Sequence, residues 1–178
     1  MNESINSYLN SGGQTKISED FKKEIPKIPQ NAKIKDIFIL LNFLHEKVKF
    51  NNNNKYDYFR KRTAEEIFKS GFATGCTDYA LVFLCFTRAN NIPARYVEAI
   101  RNKWLNEGGD LENIEGHIFV EIYFEDQWLI TDPENSSISN TYSRHKILER
   151  GLDSWDIGIK DLETLKTKLQ EFKKTFQS

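Results

Sequence analysis

The 178 residues suffice for one domain with its own core and are too few for two of ordinary size. Acidic and basic residues nearly cancel, leaving a formal charge of −1, so the basic footprint that nucleic acid or an anionic membrane would select is missing. No run approaches a membrane span, and Met1 to Gln14 is polar, without the basic start and apolar stretch of a secretion signal. These features point to a cytoplasmic protein with no nucleic-acid or membrane partner.

Residues 1–30, rich in Asn, Ser, Gly, Lys and Glu and carrying Pro26 and Pro29, read as a loosely held polar arm. Residues 31–178 then form a single domain. From Lys33 to Lys49, the residues Ile34, Ile37, Phe38, Leu41, Leu44 and Val48 recur at helical spacing and predict a helix with one apolar stripe. His45 falls at the edge of that stripe, where a packed or hydrogen-bonded structural histidine is the plainer expectation. Asn51 to Asn54 breaks the helix, and Tyr56 to Arg60 connects it to Thr63-Ala64-Glu65-Glu66, which has the form of a capping box. Gly71 suits a left-handed stop, so a short helix over about 64–70 leads into the next turn.

That turn, Gly71 to Gly75, precedes Cys76 and a dozen residues that are apolar on nearly every side, as in a helix buried all round. Cys76 then stands at a helix N-terminus, where unpaired N–H groups and the positive end of the macrodipole favour an anion and so suit a thiolate nucleophile. Asp78, in the first turn, is expected to point away from the sulfur or to hold a backbone N–H. Cys85 follows nine residues later, about 13 Å along a helix, beyond disulfide reach, so both thiols should be free. Three histidines and two such cysteines give no metal-ligand spacing, so no metal and no cofactor are expected.

Asn90-Asn91 stops the helix, since asparagine tolerates the left-handed conformation, and Pro93 prevents its resumption. Residues 94–100 alternate as a strand, and Arg88 and Arg95 are expected to serve structure by pairing with carboxylates. The loop between Arg101 and Glu115 contains Trp104, which reads as exposed and as a candidate substrate contact at one lip of a cleft. His117 opens an alternating segment that runs to Phe124, and Asp132 closes another that begins at Gln127. A two-residue turn at Glu125-Asp126 pairs Phe124 with Gln127 and therefore Phe119 with Asp132, which sets the aspartate diagonally beside His117 on one face. Residues 147–156 and His145 suggest no role. Leu162, Leu165, Leu169, Phe172 and Phe176 mark one face of a last helix over about 160–176, packed on the domain.

A cysteine at a helix N-terminus, a histidine on a strand and an aspartate on the next supply the three roles of nucleophilic acyl transfer. Cys76 attacks a carbonyl, His117 moves the proton, and Asp132 fixes the ring's tautomer. The blocks Gly75 to Ala80, Arg88 to Val97, His117 with Val120 to Tyr123, and Trp128 to Pro133 together resemble the core of the transglutaminase-like superfamily of papain-like thiol enzymes. The resemblance implies an α+β fold with a papain-like/transglutaminase-like core, an antiparallel sheet packed on a central buried helix that bears the nucleophile at its N-terminus. It also implies catalytic Cys76, His117 and Asp132, with the Cys76 N–H as one oxyanion donor and Tyr56, Tyr58 or Asn42 as candidates for the other.

The position two residues after the histidine, commonly tryptophan in the family, is Phe119. All three tryptophans lie downstream of Cys76, although many crosslinking members carry an upstream tryptophan that helps hold the oxyanion. The expected activity is therefore cysteine-dependent amide hydrolysis or acyl transfer through a thioester, on a peptide, protein or glutamine-type amide, with hydrolysis favoured over crosslinking. A catalytically inactive peptide-binding module and a peptide N-glycanase-type amidase are the alternatives. Oligomeric state leaves no mark in the sequence.

Overall fold

The computed structural model describes residues 4–53 and 55–176. Asn54, expected in the helix-breaking turn, the Phe176 side chain, expected on the last helix's stripe, and the first three residues of the polar N-terminal stretch lie outside the described residues.

A 3₁₀ turn over Ile5–Leu9 is followed by α1 (Glu19–Glu24), whose cap is the Ser18 hydroxyl accepting from the Phe21 N–H at 3.1 Å. Helix α2 (Ile34–Lys47) buries Ile37, Leu40, Leu41 and Leu44. The expected stripe is turned slightly, since Leu40 replaces Ile34 and Phe38, both substantially exposed. Two short strands, β1 (Lys49–Phe50) and β2 (Phe72–Ala73), pair in parallel around α3 (Lys55–Tyr58) and α4 (Ala64–Ser70). Helix α4 has the predicted capping box: the Thr63 hydroxyl accepts from Glu66 N–H, and the Glu66 carboxylate accepts from Thr63 N–H at 2.8 Å. Gly71 ends it at φ 73°, the left-handed conformation that its lack of a Cβ permits.

Helix α5 (Cys76–Ala89) is the centre of the molecule. Every residue from Ala80 to Phe86 has lost all solvent exposure. Its amphipathic pattern is absent because it has no solvent face.

The strands β3 (Ala94–Arg101), β4 (Gly116–Phe124), β5 (Gln127–Asp132), β6 (Ser137–Ser139) and β7 (His145–Gly151) form one antiparallel sheet in the order β6-β5-β4-β3-β7. A short helix, α6 (Asn102–Asn106), interrupts the path from β3 to β4, and α7 (Leu162–Phe176) closes the chain with Leu165 and Leu169 buried. The β4–β5 turn is Glu125-Asp126, with both φ angles positive at 50° and 61°, and it pairs Phe124 with Gln127 as predicted. Among the described residues no helix is long and apolar enough to cross a membrane.

The segment that composition reads as a loose arm is instead built into the core. Phe21 is 1% exposed and packs its ring 5.0 Å from Phe68, burial that contributes about 1.5–3 kcal/mol. Gln14 is fully buried: its N–H donates to Asp153 Oδ2 at 2.7 Å, and its amide donates to the carbonyls of Arg60 and Arg62. The polar composition misleads because these groups hydrogen-bond internally rather than to water. Gly12 is required by close approach, since a Cβ there would lie 2.2 Å from Asp153 Oδ2. Gly12→Ala is expected to lower stability by about 1–3 kcal/mol in urea unfolding. The loss should shrink in an Asp153→Ala background, which removes the clashing atoms, whereas additive losses would contradict this packing.

Candidate active site

The sequence leading to α5 delivers Cys76 in a fixed pose. Asp78 turns back on the preceding turn, accepting from the Thr74 N–H at 2.8 Å, the Thr74 hydroxyl at 2.9 Å and the Arg62 guanidinium at 2.6 Å. It therefore holds a backbone N–H, as expected. Gly75 is extended, and a Cβ built there meets nothing within 4 Å. The N–H groups of Cys76 and Thr77, first in the helix, have no intrahelical acceptor.

His117, the second residue of β4, stands where the helix's first turn meets the sheet. Its Nε2 lies 2.7 Å from Asp132 Oδ2. Asp132 is itself held by the Asn135 N–H at 3.1 Å and the Asn135 amide at 2.9 Å. The Cys76 sulfur, a ring nitrogen of His117 and a carboxylate oxygen of Glu134 all lie within 4.8 Å of one another. Because Nε2 is engaged by Asp132, Nδ1 is the nitrogen left for the sulfur, and it lies 3.8 Å from Glu134 Oε2. Phe119 packs against the imidazole edge to face at 4.8 Å, which limits rotation of the ring.

Burial works against charge on His117, but its bonds to Asp132 and Cys76 and the charges of those groups outweigh it, and its pKa is pushed up to about 10. Burial likewise opposes charge on Asp132, yet the bonds from His117 and Asn135 hold its carboxyl below the usual value. Glu134 is shifted the other way, upward, chiefly by burial.

Two features, Glu134 and Arg60, escaped the sequence reading, and a third, His45, matches it. His45 reaches from α2 to the carbonyl of Pro133 at 2.7 Å and stacks on Tyr79 at 4.9 Å. It is the hydrogen-bonded structural histidine expected, but the residue it steadies adjoins Asp132. Glu134 carried no signal, because its partners are distant in sequence. Arg60 is buried, bidentate to Glu98 at 2.8 Å and bonded to the Tyr96 and Ser154 hydroxyls. Its Nε is buried without a partner among the described residues, and Arg60 lines two cavities that also reach Cys76, of about 500 and 290 Å³. Tyr56, Phe59 and Leu165 wall the larger, while Phe50, Gly75 and Glu134 border the smaller.

Trp104 corrects the sequence expectation. Its ring is 5% exposed, and its indole N–H donates to the carbonyls of Asp110 and Asn113 at 3.1 and 2.9 Å. It stiffens the loop from within, and the loop's Leu111 to Ile114 line the larger cavity in its place. The loop's length and polarity suggested exposure, but a tryptophan that satisfies its N–H locally is free to be buried. Of the candidate second oxyanion donors, Tyr56 lines the larger cavity, Tyr58 is packed between Phe72 and the Arg62 guanidinium, and Asn42 is exposed on α2. Arg95 pairs with Glu121 as expected, whereas Arg88 bonds carbonyls of Tyr8, Ala94 and Leu152 rather than a carboxylate.

The family model described as the transglutaminase-like superfamily matches residues 20–133. The chain belongs to this superfamily. A crystal structure from Cytophaga hutchinsonii, described as a "putative cysteine protease", superposes on it with a TM-score of 0.66 at 19% identity, over 89% of this chain and 50% of the other. The chain thus spans half the length of that neighbour, and the likeness is one of fold. No curated protein matches the sequence. The transglutaminase-like fold is papain-like in layout, with an antiparallel sheet laid on a buried helix that carries a cysteine at its N-terminus.

In this transglutaminase-like chain, Cys76→Ala removes two of the interactions that raise the His117 pKa. The imidazole is expected to titrate at lower pH in Cys76→Ala than in wild type, as read from its NMR chemical shifts against pH. An unchanged titration would mean that sulfur and ring do not interact. The raised value also stabilises the folded wild type: that contribution is complete below pH 6.5 and fades as pH climbs through about 10.

Proposed function

We propose that the protein is a cysteine-dependent amide hydrolase, with Cys76 as nucleophile, His117 as general base and acid, and Asp132 as the group that orients the ring. The observation that supports this reading is one imidazole shared between the Asp132 carboxylate at 2.7 Å and the Cys76 sulfur, with its pKa raised to about 10. A histidine in that setting holds the thiol's proton as imidazolium and leaves the sulfur as thiolate. The family and the described fold of the Cytophaga protein agree with a peptidase or amidase role.

The thiolate attacks the carbonyl carbon of a peptide or glutamine-type amide, and the oxygen gains the negative charge. The N–H of Cys76 at the start of α5 donates to that oxygen where the helix dipole also favours it. Collapse breaks the C–N bond as imidazolium passes its proton to the departing amine, leaving a thioester on Cys76. Neutral His117 then takes a proton from water, whose oxygen attacks the thioester and releases the acid and the thiol. An amine in place of water gives acyl transfer by the same steps. Arg60, paired with both oxygens of Glu98, is a fixed polar group in the lining of both cavities. The adjoining cavities, of about 500 and 290 Å³, are large enough for side chains on the two sides of a scissile bond.

Iodoacetamide titrated across pH tests the nucleophile. Cys76, partly exposed, is expected to alkylate in the folded protein faster than a free thiol, while Cys85, buried and with its thiol pushed up to about 12, stays unmodified until the protein unfolds. Should Cys76 react no faster than a free thiol, the enzyme reading fails.

A peptide library then reads out turnover. Activity should vanish in Cys76→Ala, fall roughly 10²–10⁴-fold in His117→Ala, and decline in wild type as pH rises through about 10, where imidazolium loses its proton. Binding that persists in Cys76→Ala without wild-type turnover would indicate a peptide-binding module. Cleavage only of glycosyl-asparagine would indicate the glycanase-type amidase.

A further inference from the structure

The thiol, the imidazole and Glu134 form a group that the proposed hydrolysis does not fully use. Its chemistry needs the sulfur, the ring and Asp132, whereas Glu134 adds a third potential ligand, on the chain two residues past Asp132. The carboxylate of Glu134 has no hydrogen-bond donor among the described residues, and its nearest basic atom is His117 Nδ1 at 3.8 Å. A thiolate, an imidazole and a carboxylate whose ligand atoms all lie within 4.8 Å of one another are a donor set for a metal.

We propose that Cys76, His117 and Glu134 bind one Zn²⁺ ion and that zinc reversibly blocks the site. Thiolate and imidazole are the ligands on which zinc is held in proteins, and a soft sulfur disfavours magnesium or calcium. With metal–ligand bonds of about 2.0–2.3 Å, tetrahedral ligand atoms stand about 3.3–3.6 Å apart. Nδ1 and Glu134 Oε2 are already within a few tenths of an ångström of that separation. The remaining closure is within the reach of a glutamate rotamer, because Glu134 belongs to the loop after β5 rather than to a strand.

His117 has the outer partner that zinc-binding histidines use: Nε2 faces Asp132 at 2.7 Å, which fixes the tautomer with Nδ1 toward the metal. A thiolate and a carboxylate neutralise the dication, so the bound site carries no net charge. On binding, the Nδ1 proton leaves to solvent, the sulfur, nitrogen and oxygen each donate a lone pair, and water takes the fourth position on the cavity side. No electron changes hands.

The sequence could not signal this site, because its ligands come from a helix start, a strand start and a loop, with no local spacing. Binding is independent of the proposed hydrolysis. Blocking rests on that reading, because the metal would occupy both the sulfur and Nδ1 lone pairs.

The test uses the purified full chain, with Zn²⁺ affinity measured by competition with a chromophoric chelator and Co²⁺ as a spectroscopic probe. Wild type should bind one Zn²⁺, and its Co²⁺ form should show a sulfur-to-cobalt charge-transfer band. Cys76→Ala should lose that band, and Glu134→Gln should weaken Zn²⁺ binding tenfold or more. Asp132→Asn should weaken it about 10–100-fold, as loss of an outer partner does. His145→Gln should bind as wild type, which separates this site from binding by the neighbouring imidazole. Circular dichroism of each variant verifies folding.

Wild type that binds no zinc, a Co²⁺ band that survives in Cys76→Ala, or Glu134→Gln with wild-type affinity overturns the proposed site. Turnover by the metal-free protein should fall as Zn²⁺ is added and return with EDTA; turnover that is unchanged or raised by zinc overturns the block. A metal-free protein that binds zinc yet never turns over peptide leaves the site standing and defeats the hydrolase reading instead.

Discussion

The burial of α5 on every side is the constraint from which the geometry of the cleft follows. A helix with solvent along one face can roll or slide at modest cost, but one whose residues Ala80 to Phe86 have no exposure at all is held by packing in every direction. Shifting it by a fraction of a turn would open voids and create clashes on opposite sides together, each worth kcal/mol. Cys76 at its first position inherits that rigidity. The alternate residues Ile118, Val120 and Ile122 of β4 belong to the same core, so the strand that carries His117 is positioned by the packing that positions the helix. Two chemically unrelated requirements, a filled core and a sulfur beside an imidazole, are met by one set of contacts.

Around the first turn of α5, polar groups replace apolar packing as the means of fixing position. Arg60 is 3% exposed and would be costly as a lone buried charge, but its fork meets both oxygens of Glu98 and its NH1 also reaches Tyr96 and Ser154. Its carbonyl accepts from Gln14 and from the Trp155 indole, and its backbone sits at φ 58°, a conformation unfavourable to arginine. Segments that composition leaves without a purpose, the polar N-terminus and the stretch after β7, thereby acquire one. They hold Arg60 through its carbonyl and through Ser154, so the Arg60–Glu98 pair stays in the interior beside the cavity that reaches Cys76.

The parts legible in the sequence were those written in local patterns. The capping box at Thr63, the left-handed Gly71, the buried helix after Gly75 and the β4–β5 register each depend on residues close in the chain, and each has the expected form. The register mattered most, because one residue more in the Glu125-Asp126 turn would have put Asp132 on the far face. What stayed hidden depends on distant partners. Gln14 and Trp104 look solvent-seeking because their polar atoms are visible in the sequence and their acceptors are not. Glu134 and Arg60 carried no signal for the same reason, and β7 was missed because its segment pairs with β3, about fifty residues earlier.

The loop after β5 shows how the two halves of the cleft are tied together. Asp132 ends the strand, Asn135 folds back to hold its carboxylate, and between them the Pro133 carbonyl accepts from His45 on α2 if that ring carries its proton on Nε2. His45 in turn stacks on Tyr79, one turn beyond Cys76 on α5. A chain of contacts thus runs from the helix that bears the sulfur, through an imidazole outside the cleft, to the loop that fixes the carboxylate and carries Glu134. The distance between sulfur and carboxylate is consequently set from two directions, through His117 inside the cleft and through His45 behind it. A disturbance at His45 would reach Asp132 and Glu134 without touching Cys76 or His117.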